Sequence, residues 1–97
     1  MITVTEPTFR VTVHLPAEFN FRMHQAFREC YCHRDPGQAY EIDFQDVTTF
    51  DSSALGMLLL MRSHCGDDKA DIILTNCSPR IKKILAMAMF GDYFSIA

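Results

Sequence analysis

The sequence predicts a small α/β protein built on a largely parallel β-sheet. Residues 9–15 and 40–44 alternate apolar and polar side chains, as half-buried strands do. Other segments carry apolar residues every three or four positions, the period of an amphipathic helix. Because strands alternate with helices along the chain, right-handed crossovers are required, and these produce a parallel sheet. The predicted order is β-β-α-β-α-β-α-β.

Two strands and a helix are predicted in the first third of the chain. Residues 2–5 form a short edge strand, and residues 9–15 form a strand with one apolar face. That face consists of Phe9, Val11, Val13 and Leu15. Proline is well tolerated in the first turn of a helix, so Pro16, Ala17 and Glu18 are expected to open the first helix. Its apolar positions are Phe19, Met23, Ala26, Phe27 and Cys30.

Two further helices are predicted in the rest of the chain. After the strand at residues 40–44, residues 48–53 are expected to form a polar loop and residues 54–65 a helix. Residues 70–75 form a buried strand, and Ser78 caps a last helix with Pro79 in its first turn. Gly91 ends this helix before a short strand at residues 93–96. The solvated face of this last helix is expected to be Arg80, Lys82 and Lys83. The core of the protein is expected to include Met57, Met61, Met87, Met89, Phe90 and Tyr93.

The composition excludes several classes of function. A chain of 97 residues predicts one domain, residues 1–97. A net charge of −3 argues against nucleic-acid binding, which favours a basic surface. The chain has no apolar stretch near the roughly 20 residues that span a bilayer, and its N-terminus has no signal-peptide pattern. We therefore expect a cytoplasmic protein without membrane insertion, whose four cysteines are reduced thiols.

One segment concentrates the functional signals. Asp51, Ser52 and Ser53 are three good helix-capping residues in a row, although one residue is enough to cap a helix. Residues 54–61 then contain no polar side chain over two helical turns. A surface helix normally has one polar face. Either this helix is buried on all sides, or one apolar side is exposed for a partner.

This segment resembles the signature of STAS domains, specifically the anti-sigma factor antagonists. The signature typically reads Asp-Ser-Ser/Thr-Gly-Leu-Gly at a helix start, and here it reads DSSALG. The resemblance covers nearly the whole chain. YEIDFQDVTTFD is similar to the family's preceding strand, and ADIILTNCSPRIKKILAMAMFGDYFSI is similar to its last strand, helix and closing strand. Ala54 departs from the pattern, because the family usually has glycine at this position.

The resemblance implies a phosphorylation-gated switch without enzymatic activity, cofactor or metal. In this family the serine after the aspartate is the phosphoacceptor, which corresponds to Ser52. The partners implied are an anti-sigma factor or serine kinase of the histidine-kinase-like ATPase fold, and a serine phosphatase of the PP2C type. The unphosphorylated protein binds its partner, and phosphorylation releases it. The partner-binding residues expected beside Ser52 are Asp51, Ser53, Ala54, Leu55, Gly56, Met57 and Leu58.

Other interpretations remain open from the sequence. Ser52 could be a plain N-cap, and Asp51 could also be a capping residue. Ser53 is expected to be the structural cap, with a minor second phosphorylation site as its alternative. A constitutive STAS accessory subunit of a larger complex, such as an ABC-type lipid transporter, is the alternative function. A metal site or a catalytic thiol has little support, because Cys30 and Cys32 do not share a helix face. The other candidates weighed for such a site are His24 and His33.

Overall fold

The computed structural model describes residues 2–5 and 9–97. Its strands are β1 (Thr3–Thr5), β2 (Arg10–His14), β3 (Glu18–Phe19), β4 (Ala39–Asp43), β5 (Thr49–Phe50), β6 (Ile72–Thr75) and β7 (Ser95–Ile96). Its α-helices are α1 (His24–Glu29), α2 (Ser52–His64) and α3 (Pro79–Met87). Single turns of 3-10 helix lie at Phe21–Met23, Asp67–Lys69 and Phe90–Asp92.

The main sheet has the strand order β1-β2-β4-β6-β7. Strands β1 and β2 pair in antiparallel fashion, and every later pair in this sheet is parallel. Strands β3 and β5 form a separate parallel pair. The predicted α/β class with a mostly parallel sheet is therefore confirmed.

The three helices cover one face of the main sheet. The connections β2–β4, β4–β6 and β6–β7 all advance in the same direction across the sheet, so right-handed crossovers place α1, α2 and α3 on the same side. The strand residues facing the helices are buried, and their neighbours on the other face are half-buried. The buried strand residues are Val11, Val13, Tyr40, Ile42, Ile72 and Leu74.

The prediction for the first helix was wrong at its start. Pro16 and Ala17 precede β3 and do not open a helix. The carbonyl of Ala17 instead accepts hydrogen bonds from the backbone N–H groups of Thr48 and Thr49, at 2.8 and 3.0 Å. Phe19 is fully buried, and its ring lies 6.3 Å from the ring of Phe50 on the paired strand. Long-range pairing thus outweighs the local tendency of proline to start a helix.

The prediction for the end of the chain was wrong in three places. Helix α3 ends at Met87, four residues before Gly91, and the last strand contains only Ser95–Ile96. Met87 and Met89, expected in the core, have exposures of 77% and 66%, and Tyr93 has an exposure of 46%. At the start of the chain, Phe9 precedes β2 and is also exposed. These side chains sit at element ends, where the period of the core pattern no longer applies.

Neighbouring leucines of α2 provide a test of this packing. Leu58 is fully buried, whereas Leu60 is 57% exposed. We expect Leu58→Ala to lower the free energy of unfolding by about 2–5 kcal/mol, because it removes buried methyl groups and leaves a cavity. Leu60→Ala, the matched control on the same helix, is expected to change it by less than about 0.5 kcal/mol. Urea denaturation measures both values, and equal losses in the two variants would contradict this packing.

Candidate functional site

The segment that leads into α2 is held by contacts from distant parts of the chain. Strand β5 pairs with β3, and Phe50 is buried there against Phe19 and Phe44. The hydroxyl of Thr48 donates to the carbonyl of Ala17 at 3.2 Å. The guanidinium of Arg80, in the first turn of α3, donates to the carbonyl of Thr48. The start of α2 therefore has a position fixed by the fold.

Asp51 is the N-cap of α2. Its Oδ1 accepts a hydrogen bond from the backbone N–H of Ala54 at 3.2 Å and another from the hydroxyl of Ser53 at 2.6 Å. These two hydrogen bonds hold the pKa of the Asp51 carboxyl below its usual range, and the bond from the Ser53 hydroxyl contributes more than the bond from the Ala54 N–H. The expectation that Ser53 is the structural cap was wrong, because the Ser53 hydroxyl donates to the true cap, Asp51.

Ser52 is the first residue of α2, and its side chain is exposed. Within residues 2–5 and 9–97, its hydroxyl forms no hydrogen bond. The hydroxyl groups of the two adjacent serines therefore differ in their hydrogen bonding. The Ser53 hydroxyl donates to Asp51, whereas the Ser52 hydroxyl is open to solvent.

The exposed side of α2 forms one continuous stripe, because residues three and four apart share a helix face. We call these exposed residues the α2 stripe, and they are Ser52, Gly56, Leu59, Leu60 and Ser63. The opposite side is core and contains Ala54, Met57, Leu58 and Met61. One side of the apolar run at residues 54–61 is therefore buried, and the other side exposes two leucines.

The structure separates the expected partner-binding residues into two groups. Asp51 and Gly56 are exposed, and Ser53 and Leu55 are half-buried. The other three side chains are at most 3% exposed, so the fold already uses them for packing. These three are Ala54, Met57 and Leu58. Sequence reasoning did not single out Leu59 and Leu60, because an all-apolar run carries no signal of which residues face outward.

Gly56 has no structural explanation within the chain. A Cβ atom at this position would meet nothing within 4 Å, and the backbone is ordinary helix. Glycine in a helix interior costs roughly 0.5–1 kcal/mol relative to alanine. Gly56 lies one turn after Ser52 on the α2 stripe, so its effect is to leave bare backbone beside the Ser52 hydroxyl.

Asp43 organises the edge of the sheet from which α2 and α3 begin. It ends β4, and its carboxylate accepts hydrogen bonds at 2.9 Å from the Asn76 side chain and from the backbone N–H of Gln45. Its Oδ2 also lies 2.9 Å from Nδ1 of His14, at the end of β2. Partial burial opposes ionisation of this carboxyl, but these hydrogen bonds outweigh it and lower its pKa.

The candidates for metal binding or thiol chemistry do not form a site. Within the described part of the chain, no group of three or more His, Cys, Asp or Glu side chains could hold a metal ion. Cys30 and Cys32 are half-buried. Burial raises the pKa of both Cys65 and Cys77 to about 11. A reactive cysteine requires a lowered pKa, so the Cys65 and Cys77 thiols are not activated.

The Asp51 cap can be tested by titration. We expect the pKa of the Asp51 carboxyl, followed by NMR at its side-chain carbon, to lie below the unperturbed value of about 3.9. Ser53→Ala should raise it, because the hydroxyl bond favours the charged form. The stabilisation from this cap is then complete above the unfolded-state pKa and is lost as the pH falls through the folded-state pKa. Ser52→Ala is the matched control and should leave the pKa of Asp51 unchanged. An unchanged pKa in Ser53→Ala would contradict the assignment of the cap.

Comparison with known proteins supports the resemblance to STAS domains that the sequence shows. A family model described as "Mlab, STAS domain" matches residues 2–95. A STAS-domain-containing protein of Pseudomonas aeruginosa (strain UCBPP-PA14) is 43% identical over 88 residues, which cover 90% of this chain and 87% of that protein. No helix among the described residues has the length and apolar character needed to cross a membrane.

Solved structures share the fold at low sequence identity. An anti-sigma-factor antagonist (STAS) domain protein from Planctomyces limnophilus superposes with a TM-score of 0.84 at 17% identity, covering 98% of this chain and 87% of that chain. The anti-sigma factor antagonist SpoIIAA in its unphosphorylated form gives 0.81 at 19% identity, covering 100% and 88%. The phosphorylated form of SpoIIAA, from Bacillus, gives 0.69 at 18% identity, covering 100% and 91%. With its strand order, its three helices and these matches, the chain belongs to the STAS domain family.

Proposed function

We propose that this protein is an anti-sigma factor antagonist whose binding to a partner protein is switched by phosphorylation of Ser52. The observation that carries the proposal is the exposed, unbonded hydroxyl of Ser52 at the start of α2. The neighbouring Ser53 hydroxyl is held by Asp51 at 2.6 Å and is a poorer acceptor for a phosphoryl group. SpoIIAA, which shares this fold, exists in unphosphorylated and phosphorylated forms.

The fold should tolerate a phosphate at Ser52. The N-terminus of a helix carries partial positive charge, which favours a negative group there. Ser52 lies at the first position of a 13-residue helix, and its side chain points to solvent. Phosphorylation adds roughly −1.5 to −2 charges, and nothing buried must be desolvated to accept them. The modification should therefore act on the partner-binding surface while the fold stays intact.

The partner-binding surface proposed here is the α2 stripe together with Asp51 and half-buried Leu55. Leu59 and Leu60 supply its apolar part, with exposures of 39% and 57%. A phosphate on Ser52 lies on the same stripe and next to the Asp51 carboxylate. An unpaired charge left in an interface costs about 2–5 kcal/mol. Binding would weaken by roughly 30-fold to several thousand-fold, at about 1.4 kcal/mol per tenfold change.

The partners that fit this proposal are an anti-sigma factor or serine kinase of the histidine-kinase-like ATPase fold and a PP2C-type serine phosphatase. The kinase captures the unphosphorylated protein and then modifies Ser52, and the phosphatase restores the binding form. The protein itself acts as a cytoplasmic, single-domain binding module without an active site of its own.

The first test is a pull-down from native cytoplasm with wild type, Ser52→Ala and Ser52→Asp as baits, and intact-mass analysis of the recovered wild type. We expect a mass increase of about 80 Da at Ser52, the mass of one phosphate group. We also expect Ser52→Asp to lose a kinase-like partner that Ser52→Ala retains. Ser53→Ala is the matched control for the phosphorylation site and should keep the mass increase. If all baits recover the same proteins and no phosphate is present, the constitutive-subunit alternative replaces the switch.

Gly56 gives a second test, in which stability and binding change in opposite directions. We expect Gly56→Ala to raise the free energy of unfolding by about 0.5–1 kcal/mol, because alanine favours the helix and its methyl group meets none of the described residues within 4 Å. The same methyl group should weaken capture of the partner recovered with Ser52→Ala. Urea denaturation and a titration with that partner measure the two effects. Unchanged affinity would show that the partner does not approach the helix at Gly56.

A further inference from the structure

The outer face of α3 is cationic at its start. Residues 72–91 contain three of the nine Lys and Arg residues of the chain and none of its twelve Asp and Glu residues. Arg80, Lys82 and Lys83 are all exposed, and none of them forms an ion pair with a carboxylate among the described residues. A protein with a net charge of −3 therefore carries a local basic patch whose charges are not paired with any carboxylate of the described residues.

The same face becomes apolar toward the end of α3. Lys83 and Met87 are four residues apart and share a helix face, and Met87 is 77% exposed. Met89 follows with 66% exposure, and its backbone is left-handed at φ 59° and ψ 31°. Glycine or asparagine is the usual residue in this conformation after a helix. A strained, exposed methionine is not required by the core, and methionine suits adaptable protein contacts.

Contacts with α2 and its leading segment hold this face at both ends. At the start of α3, Arg80 donates to the carbonyl of Thr48, in the segment that leads into Asp51 and Ser52. At the far end, Arg62 of α2 donates to the carbonyl of Tyr93 at 3.2 Å, and its guanidinium lies 4.8 Å from the centre of the Tyr93 ring. We call Arg80, Lys83, Met87, Met89 and Tyr93 the α3 surface. Its start is therefore fixed against the segment that leads into Ser52, and its end is fixed against Arg62 of α2.

We infer that the α3 surface binds an acidic amphipathic helix of the partner protein, with carboxylates of that helix on Arg80 and Lys83 and its apolar side chains on Met87, Met89 and Tyr93. This inference rests on the proposed function and names the chemistry of the partner. It also explains why phosphorylation releases the partner. A phosphate on Ser52 places negative charge beside a surface that attracts an acidic segment, so the electrostatic attraction decreases.

Two other occupants fit less well. An anionic membrane would be repelled at the apolar end, where exposed Asp92 adjoins Tyr93 and exposed Asp67 and Asp68 lie beside Arg62. Helix α3 also buries Ile81 and Leu85 in the core, so these two side chains are not available to enter lipid. A second copy of this chain would need its own acidic helix face, and α1, α2 and α3 together contain only one acidic residue, Glu29.

The test uses a designed helical peptide with glutamates on one side and leucines on the other. We expect NMR titration of the isotope-labelled protein to place the largest shift changes at Lys83, Met87 and Tyr93. Lys83→Glu should weaken binding about three- to tenfold, the range for reversing one charge at the rim of an interface. Met87→Gln should weaken it about threefold or more, because it removes apolar contact area. A peptide with lysines in place of the glutamates should not bind.

Matched controls lie on a different element, the 3-10 turn Phe21–Met23 that precedes α1. Arg22→Glu makes the same charge change as Lys83→Glu, and Phe21→Gln removes an exposed apolar side chain, as Met87→Gln does. Both controls should bind the peptide as wild type does. Absence of binding, shift changes elsewhere, or equal losses in variants and controls would overturn the inference. So would tighter binding to vesicles containing phosphatidylglycerol, or self-association that Lys83→Glu abolishes.

Ser52→Asp separates this inference from the proposed function. If the peptide maps to the α3 surface and Ser52→Asp weakens its binding, both proposals are supported. If the peptide maps to the α3 surface and Ser52→Asp has no effect, the surface stands and its electrostatic coupling to Ser52 is contradicted. The pull-down with Ser52→Ala and Ser52→Asp then decides the proposed switch separately.

Discussion

The Asp43 carboxylate joins the ends of the three central strands, at the edge of the sheet where α2 and α3 begin. It contacts His14 at the end of β2, the backbone N–H of Gln45 just after β4, and Asn76 after β6. Because β2, β4 and β6 are parallel, their carboxyl ends meet at one edge of the sheet. Helices α2 and α3 both begin at that edge. Tying the strand ends together thus fixes where the two helices, and the surfaces on them, can lie.

The start of α2 shows how a small fold separates structural and functional roles among adjacent polar residues. Asp51 caps the helix, and the Ser53 hydroxyl is committed to Asp51. Ser52 contributes its backbone to the first turn and leaves its hydroxyl exposed. The same separation continues along α2, where Leu58 packs in the core and Leu60 faces solvent. The exposed positions of α2 can therefore change without cost to the core.

Long-range contacts decided most of what the sequence did not show. The segment from Pro16 to Phe19 has helix-start residues, but pairing of β3 with β5 and burial of Phe19 against Phe50 make it extended. The exposure of Met87, Met89 and Tyr93 depends on where α3 ends and how the chain turns afterwards. Local periodicity describes the middle of an element well and its ends poorly, because the ends are set by neighbouring elements.

The sequence by itself determined the fold class, the order of the main strands and helices, and the motif at residues 51–56, because alternation, helical period and capping residues are local properties of the chain. Only the tertiary structure decided which hydroxyl is free, which leucines of α2 face outward, and that Arg80 contacts the segment leading to Ser52. Each of these depends on contacts between residues that are distant in sequence or on the rotation of a helix against its sheet. An all-apolar run such as residues 54–61 does not indicate that rotation, because no position in it carries a polar side chain.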